Sequence, residues 1–219
     1  MNMKKYLKPA VILLVVSVIY TILVKVVDVS AIGPNGSKVG FATINNWFHQ
    51  LFPYSETWYK TTKYLGLLPF LLVGYYGCYG LYQSIKRRDI LKMDKQLLLL
   101  GIFYLMVAAT YILFEAIVIN YRPVLMDGVL EASYPSSHTM LAICVCASSL
   151  MISKYYFKND FLRELLDLGT WLLMIILVVG RAISGVHWIS DIVGGVLISG
   201  FLIALFYESI SKIRVKKSK

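Results

Sequence analysis

Long apolar runs dominate this chain, and short stretches rich in lysine and arginine separate them. Neither a strand-like alternation nor a one-sided helical stripe describes the runs. They are apolar throughout, and a helix of about 20 such residues covers about 30 Å of hydrocarbon. Six spans are expected, at residues 9–27, 63–84, 97–119, 137–154, 168–184 and 188–208. Because a lipid-embedded backbone must satisfy its own hydrogen bonds, they are read as helices. The fold expected is all-α, one integral membrane domain over residues 1–219. The first run, with Lys4, Lys5 and Lys8 before it and Val29-Ser30-Ala31 after it, also fits a signal peptide. Its length favours a retained span.

Between the first two spans the pattern changes. Gly33-Pro34-Asn35-Gly36 reads as a turn. From Phe41 to Tyr59, aromatic residues including Trp47, Phe48, Tyr54 and Trp58 alternate with Asn, His and Gln. That mixture suits a segment at headgroup depth over residues 41–60, either shaping the entry of a lipid tail or capping the bundle. His49 reads there as an interfacial polar residue. In the second span Pro69 is expected to kink the helix, and Gly74 and Gly77 to admit a close neighbour. The fourth helix can begin at Ser136, and residues 161–166 can extend the fifth.

Composition sharpens the class. Hydrophobic residues make up 58% of the chain and charged ones 16%, while the net charge is +10. In a soluble protein that charge would suggest nucleic acid. Here 16 of the 22 lysines and arginines lie in the N-terminal segment, the second and fourth loops and the tail. The positive-inside bias therefore puts both termini in the cytoplasm and turns loops 28–61, 120–137 and 184–187 outward. Cys78, Cys144 and Cys146 all lie in apolar runs, with no disulfide framework or metal-ligand spacing.

This topology brings Glu115, Arg122, His138, Arg181, His187 and Asp191 to one depth, at the outer ends of four spans. Ionisable groups there are costly unless paired or functional. His187 and Asp191, four residues apart, are expected to share a helix face, the carboxylate fixing the imidazole tautomer. Arg122 and Arg181 offer forked donors suited to a phosphoryl group. Ser136 and Ser137, at a helix start, offer backbone N–H groups to an anion. His138 can donate a proton to a departing oxygen. Read singly, His187 and Asp191 are also a satisfied polar pair, Arg122 a flanking residue, and the serines caps. Glu115 reads as a buried carboxylate held by Arg122 or Arg181; Asp127 and Glu131 read as solvated loop charges.

Arg122-Pro123, Pro135-Ser136-Ser137-His138, and Arg181 followed at fixed spacing by His187 and Asp191 together resemble the type 2 phosphatidic acid phosphatases. That family is related to the vanadium haloperoxidases, and the likeness spans roughly residues 62–208. It implies a six-transmembrane bundle in which His187 forms a phosphohistidine, Asp191 orients it and His138 is the general acid. Arg122, Arg181, Ser136 and Ser137 would hold the phosphate, with no metal or cofactor. Three positions depart from the pattern: Glu115 stands where the family has lysine, Ser137 where it has glycine, and Gly180 where it has serine. Glu115, with Tyr121 and Asn120, is expected to act in specificity or structure.

The function implied is removal of phosphate from a membrane lipid at the outer face of a bacterial cytoplasmic membrane. Phosphatidate, phosphatidylglycerophosphate and polyprenyl diphosphate are the substrates the resemblance suggests. The alternatives are a phosphotransferase or phosphodiesterase on a lipid head group, and an impaired homologue that only binds lipid. The partner expected is the lipid phosphate itself, with no nucleic acid. The sequence leaves the tail, the head group and the oligomeric state open.

Overall fold

The computed structural model describes residues 4–217. It is built from α1 (Lys4–Val26), α2 (Ala42–Leu51), α3 (Glu56–Leu65), α4 (Leu68–Arg87), α5 (Lys95–Ala116), α6 (Ser137–Tyr156), α7 (Asp160–Ile183) and α8 (Ile189–Lys217). Among the described residues only isolated β-bridges occur, and no sheet. Six stretches are long and apolar enough to cross a membrane: Pro9–Val26, Glu56–Arg87, Lys95–Ala116, Ser137–Tyr156, Asp160–Ile183 and Ile189–Ile213. The chain is a multi-pass membrane protein with an all-α fold.

α6 and α8 form the inner pair. About half of each lies buried, 56% and 50%, against 17–22% for α1, α5 and α7. Small residues explain the difference, since lipid offers no hydrophobic drive between helices and association relies on close packing. A Cβ on Gly195 would stand 3.1 Å from the Ser136 carbonyl oxygen, and one on Gly194 would strike the Tyr134 ring at 2.4 Å. The surrounding helices leave Val11, Ile12, Val15, Ile19 and Ile22 of α1, and Leu165, Leu168 and Trp171 of α7, exposed. Apolar faces of that extent belong in hydrocarbon. The apolar core, including Tyr76, Leu100, Phe103, Ile152, Leu202 and Phe206, fills the half of the bundle away from His187.

Several local expectations change. Pro69 is the second residue of α4, and the span is interrupted just before it, in the turn where a proline leaves a backbone carbonyl unbonded. Gly74 and Gly77 face open space, whereas a Cβ on Gly80 would stand 3.4 Å from Met93 Sδ. Residues 161–166 do continue into α7, while α5 ends at Ala116 and leaves 117–119 outside the helix. The aromatic segment forms two helices, α2 and α3. Asn45 of α2 is fully buried, donating to Gly40 O (2.7 Å) and Ser190 Oγ (2.9 Å) and accepting from Ser190 N. His49 is half-buried with its ring 5.4 Å from that of Trp188. α3 packs against the end of α7 and runs into α4 across a break at Gly66 and Leu67.

Candidate active site

The turn joining α7 to α8 presents the first imidazole. Gly185 has φ +65°, and a Cβ there would meet Pro53 C and Tyr54 N at 2.6 Å. Only glycine fits, by conformation and by space. Ser55 N donates to Ser184 O at 3.0 Å, closing α3 over this turn. Two residues later comes His187, 3% exposed.

α8 begins at Ile189, so His187 lies before the helix and does not share a face with Asp191. The separation, 3.9 Å from Nδ1 to Oδ2, is too long for a hydrogen bond. Asp191 sits at the third helical position and accepts from Trp188 N at 3.0 Å, the carboxylate half of a capping box. Its other partners are Asn120 Nδ2, at 3.3 Å, and the Ser133 hydroxyl, which donates to Oδ2. Ser133 Oγ also lies 3.3 Å from His187 Nδ1. With its single proton committed to Asp191, this oxygen accepts from Nδ1–H. The proton is thereby held on Nδ1, and His187 Nε2 is left buried without a partner. Burial, then the charges of Arg122 and Arg181, push the imidazole well below its ordinary pKa, while contact with Ser133 acts the other way. His187 is neutral at pH 7.

A hairpin between α5 and α6 supplies the next groups. Ser133 N donates to Asn120 O (2.9 Å) and Arg122 N to Glu131 O (3.1 Å). At the tip, Met126 and Val129 pair across Asp127 and Gly128, both at positive φ. Asn120, 1% exposed, also accepts from Gly40 N, and Tyr121 O accepts from Trp188 Nε1 at 2.7 Å. These two residues hold neighbours in place. Arg122 Nε lies 3.0 Å from Glu131 Oε2, although out of line for a hydrogen bond. Glu131 is an exposed loop charge, as expected, and it also pairs with Arg122.

Arg181, 1% exposed, ends α7. Its Nη1 donates to Thr62 Oγ1 at 3.3 Å, its guanidinium lies 5.3 Å from the centre of the Tyr59 ring, and its Nε has no partner. Gly180 makes this possible, because a Cβ would meet Thr62 Cγ2 at 2.7 Å. Thr62 Oγ1 gives its own proton to Trp58 O at 2.8 Å, so it supports the arginine without replacing the hydroxyl donor absent at position 180.

The start of α6 carries the second imidazole. Ser136 is the N-cap, accepting from Thr139 N at 3.5 Å, but its own N–H donates to Asp191 O at 3.0 Å. It is wholly buried, so the expected anion contact from its backbone is already spent. Ser137 faces a narrow cleft with Arg122, Ser133 and His187. His138 Nδ1 is buried and unpartnered, and the residue lines a separate, mostly apolar cavity of about 280 Å³ with Thr62, Lys63, Gly66, Leu141 and Leu177. Both guanidinium groups act electrostatically on both imidazoles. Glu115 is on the wall of the narrow cleft with Tyr111, yet it is exposed, not buried against an arginine. Among the described residues no three His, Cys, Asp or Glu side chains gather as metal ligands.

Sequence reading missed Ser133, Thr62 and Glu131. Ser133 and Thr62 are uncharged and sit in no periodic pattern. Glu131 is charged, but only the hairpin register brings it to Arg122.

The curated proteins compared include none that matches this chain. Among solved structures it resembles a transmembrane PAP2-type phosphatidylglycerolphosphate phosphatase from Bacillus subtilis, with a TM-score of 0.65, 16% identity and coverage of 94% of this chain and 97% of that one. At that identity the likeness is one of fold. The family model for the PAP2 superfamily matches residues 100–214, more than half the chain and the stretch holding both imidazoles, both arginines and Asp191. This chain belongs to the PAP2 superfamily.

Proposed function

We propose that the protein is a lipid phosphatase working through a phosphohistidine at the outer face of a bacterial cytoplasmic membrane. The observation that carries this reading is the state of His187: neutral, held by Ser133 in the Nδ1–H form, with a buried Nε2 lone pair beside two guanidinium groups. A nitrogen in that state is a nucleophile awaiting an electrophile. Arg122 and Arg181 offer the planar donors that match phosphoryl oxygens and stabilise the charge spread over them in the transition state.

In the first step His187 Nε2 bonds to phosphorus as the bond from phosphorus to the lipid oxygen breaks. The electron pair leaves with that oxygen, and His138 supplies its proton. The His187 ring becomes cationic, and Asp191 stabilises it through Ser133. In the second step water attacks the phosphohistidine, His138 takes the water proton, and phosphate leaves with His187 restored. The chemistry calls for no metal, because the two arginines carry the charge. The surplus of basic residues at the opposite end of the bundle supports an outward-facing site.

Rapid acid-free quenching with labelled lipid phosphate tests the reading. The expected result is an alkali-stable, acid-labile phosphoprotein, absent from His187→Ala. Turnover with full activity in His187→Ala would overturn it.

A further inference from the structure

α2 contains no lysine, arginine, aspartate or glutamate, and its two faces differ. Ala42, Asn45 and His49 lie along one side, the first two buried and the His49 ring against Trp188. Ile44, Trp47 and Leu51, at the spacing of a single helical face, lie on the other, and each is more than half exposed. The inward face makes a definite connection. Ser190 stands in the first turn of α8, where backbone N–H groups have no partner within the helix. Asn45 Oδ1 takes the Ser190 N–H at 3.1 Å, so a side chain of α2 caps the helix that carries Asp191. Asn45 Nδ2 donates to Ser190 Oγ at 2.9 Å and to Gly40 O at 2.7 Å. Gly40 N in turn donates to Asn120 Oδ1 at 3.2 Å, and Asn120 Nδ2 to Asp191 Oδ1 at 3.3 Å. Two routes lead from Asn45 to the carboxylate, one through Ser190 and one through Gly40 and Asn120.

The outward face is continuous with surface already assigned to lipid. The Ser190 contact puts α2 level with the first turn of the last span, at the end of the bundle that holds His187. α2 follows α1 in the chain, and the exposed apolar residues Ile19, Ile22 and Val26 of α1 lead toward it. A helix divided in this way buries its apolar side at the boundary between head groups and acyl chains, and without cations its attachment rests on apolar area. We infer that the lipid leaflet at this end of the bundle seats α2 through Ile44, Trp47 and Leu51, and that Asn45 is thereby a positioning residue for Asp191. The consequence rests on the phosphatase reading: a displaced α2 withdraws the cap from α8 and loosens the carboxylate that stabilises the cationic His187 ring through Ser133. Turnover then depends on how the leaflet packs around α2.

Reconstitution in phosphatidylcholine vesicles tests both halves. Lipid brominated close to the head group quenches tryptophan fluorescence, and part of that quenching should be lost in Trp47→Phe. Undiminished quenching overturns the seating of α2. Phosphate release is then followed on the best wild-type substrate among phosphatidate, phosphatidylglycerophosphate and a polyprenyl diphosphate. Trp47→Ser combined with Leu51→Ser, both clear of the site, should lower kcat about fivefold with KM nearly unchanged. Asn45→Ala should lower kcat about tenfold, on the scale of one lost buried hydrogen bond, again with little change in KM. In the background of the two serine substitutions, Asn45→Ala should cost much less, because all act through one contact. A lower melting temperature with unchanged kcat per folded molecule, or full additivity, overturns the inference and leaves the phosphatase reading standing. The two serine substitutions decide alone if Asn45→Ala does not fold, since unchanged kcat in them is enough to overturn it. A wild-type protein that releases phosphate from none of the lipids overturns the phosphatase reading and the positioning role together.

Discussion

The two ends of the helix bundle both bury polar groups, but they finish them differently. At the basic end Asp94 accepts from Gln83 at 2.7 Å and from Arg87 at 3.2 Å, Asp167 accepts from Ser153 at 3.1 Å, and Glu208 pairs with Lys212 at 2.7 Å. Each of these three carboxylates is met by a neighbour. At the other end Arg181 Nε, His138 Nδ1 and His187 Nε2 are buried and unmet. Buried polar atoms are nearly always satisfied, so three open valences around two imidazoles and a guanidinium mark where a ligand completes the structure. Unmet atoms occur at the basic end as well, in the hydroxyls of Ser84 and Tyr156; what distinguishes the site is that its unmet atoms are nitrogens of two imidazoles and a guanidinium.

Replacement of the groups at the site should act on chemistry. His187→Ala is expected to lower kcat by about a thousandfold or more, since the covalent route is lost, while the helical signal in micelles persists. Comparable kcat in that variant would erase the distinction between the ends. Ser133→Ala sharpens it. The expected loss is about tenfold in kcat with little change in KM, because the hydroxyl acts through His187. In an Asp191→Asn background the same change should cost much less, as both belong to one chain of contacts. Full additivity would show that Ser133 acts elsewhere.

The basic end should respond in stability alone. Asp94→Ala strips Gln83 and Arg87 of an acceptor and should destabilise by about 1–2 kcal/mol, read by thermal unfolding in micelles, with activity per folded molecule unchanged. The smallest expected effect comes from pH. Unfolded histidine titrates near about pH 6.5, and folded His187 lies well below that. Under acid conditions the unfolded chain binds a proton that the folded chain resists. The contribution is therefore complete above about pH 6.5 and is lost as pH falls toward the folded value. His187→Gln should flatten the melting temperature between about pH 7 and about pH 5 relative to the wild-type slope.

The spans were legible because lipid imposes a length on any helix that crosses it. The depth shared by Arg122, His138, Arg181 and His187 followed from counting spans and basic loops. What depends on a helix's first residue was not legible. Four residues separate His187 from Asp191, which suggests a common face, yet α8 starts between them and the capping role of Asp191 turns its carboxylate back along the chain. Contacts made by tertiary approach were equally hidden. Nothing near Ser133 says that it will stand between an acid and an imidazole, and Thr62 reaches Arg181 only because position 180 has no Cβ. Glu115 and Glu131 look alike in the sequence; the hairpin ladder decides which of them meets Arg122.

That hairpin has a practical corollary. Its stem carries Asn120, Arg122 and Ser133, while its tip at Asp127 and Gly128 turns through left-handed backbone and touches none of them. A short epitope inserted between those two residues should leave turnover intact and be readable by antibody on whole cells. The same loop that holds Arg122 and Ser133 can therefore report which side of the membrane they face.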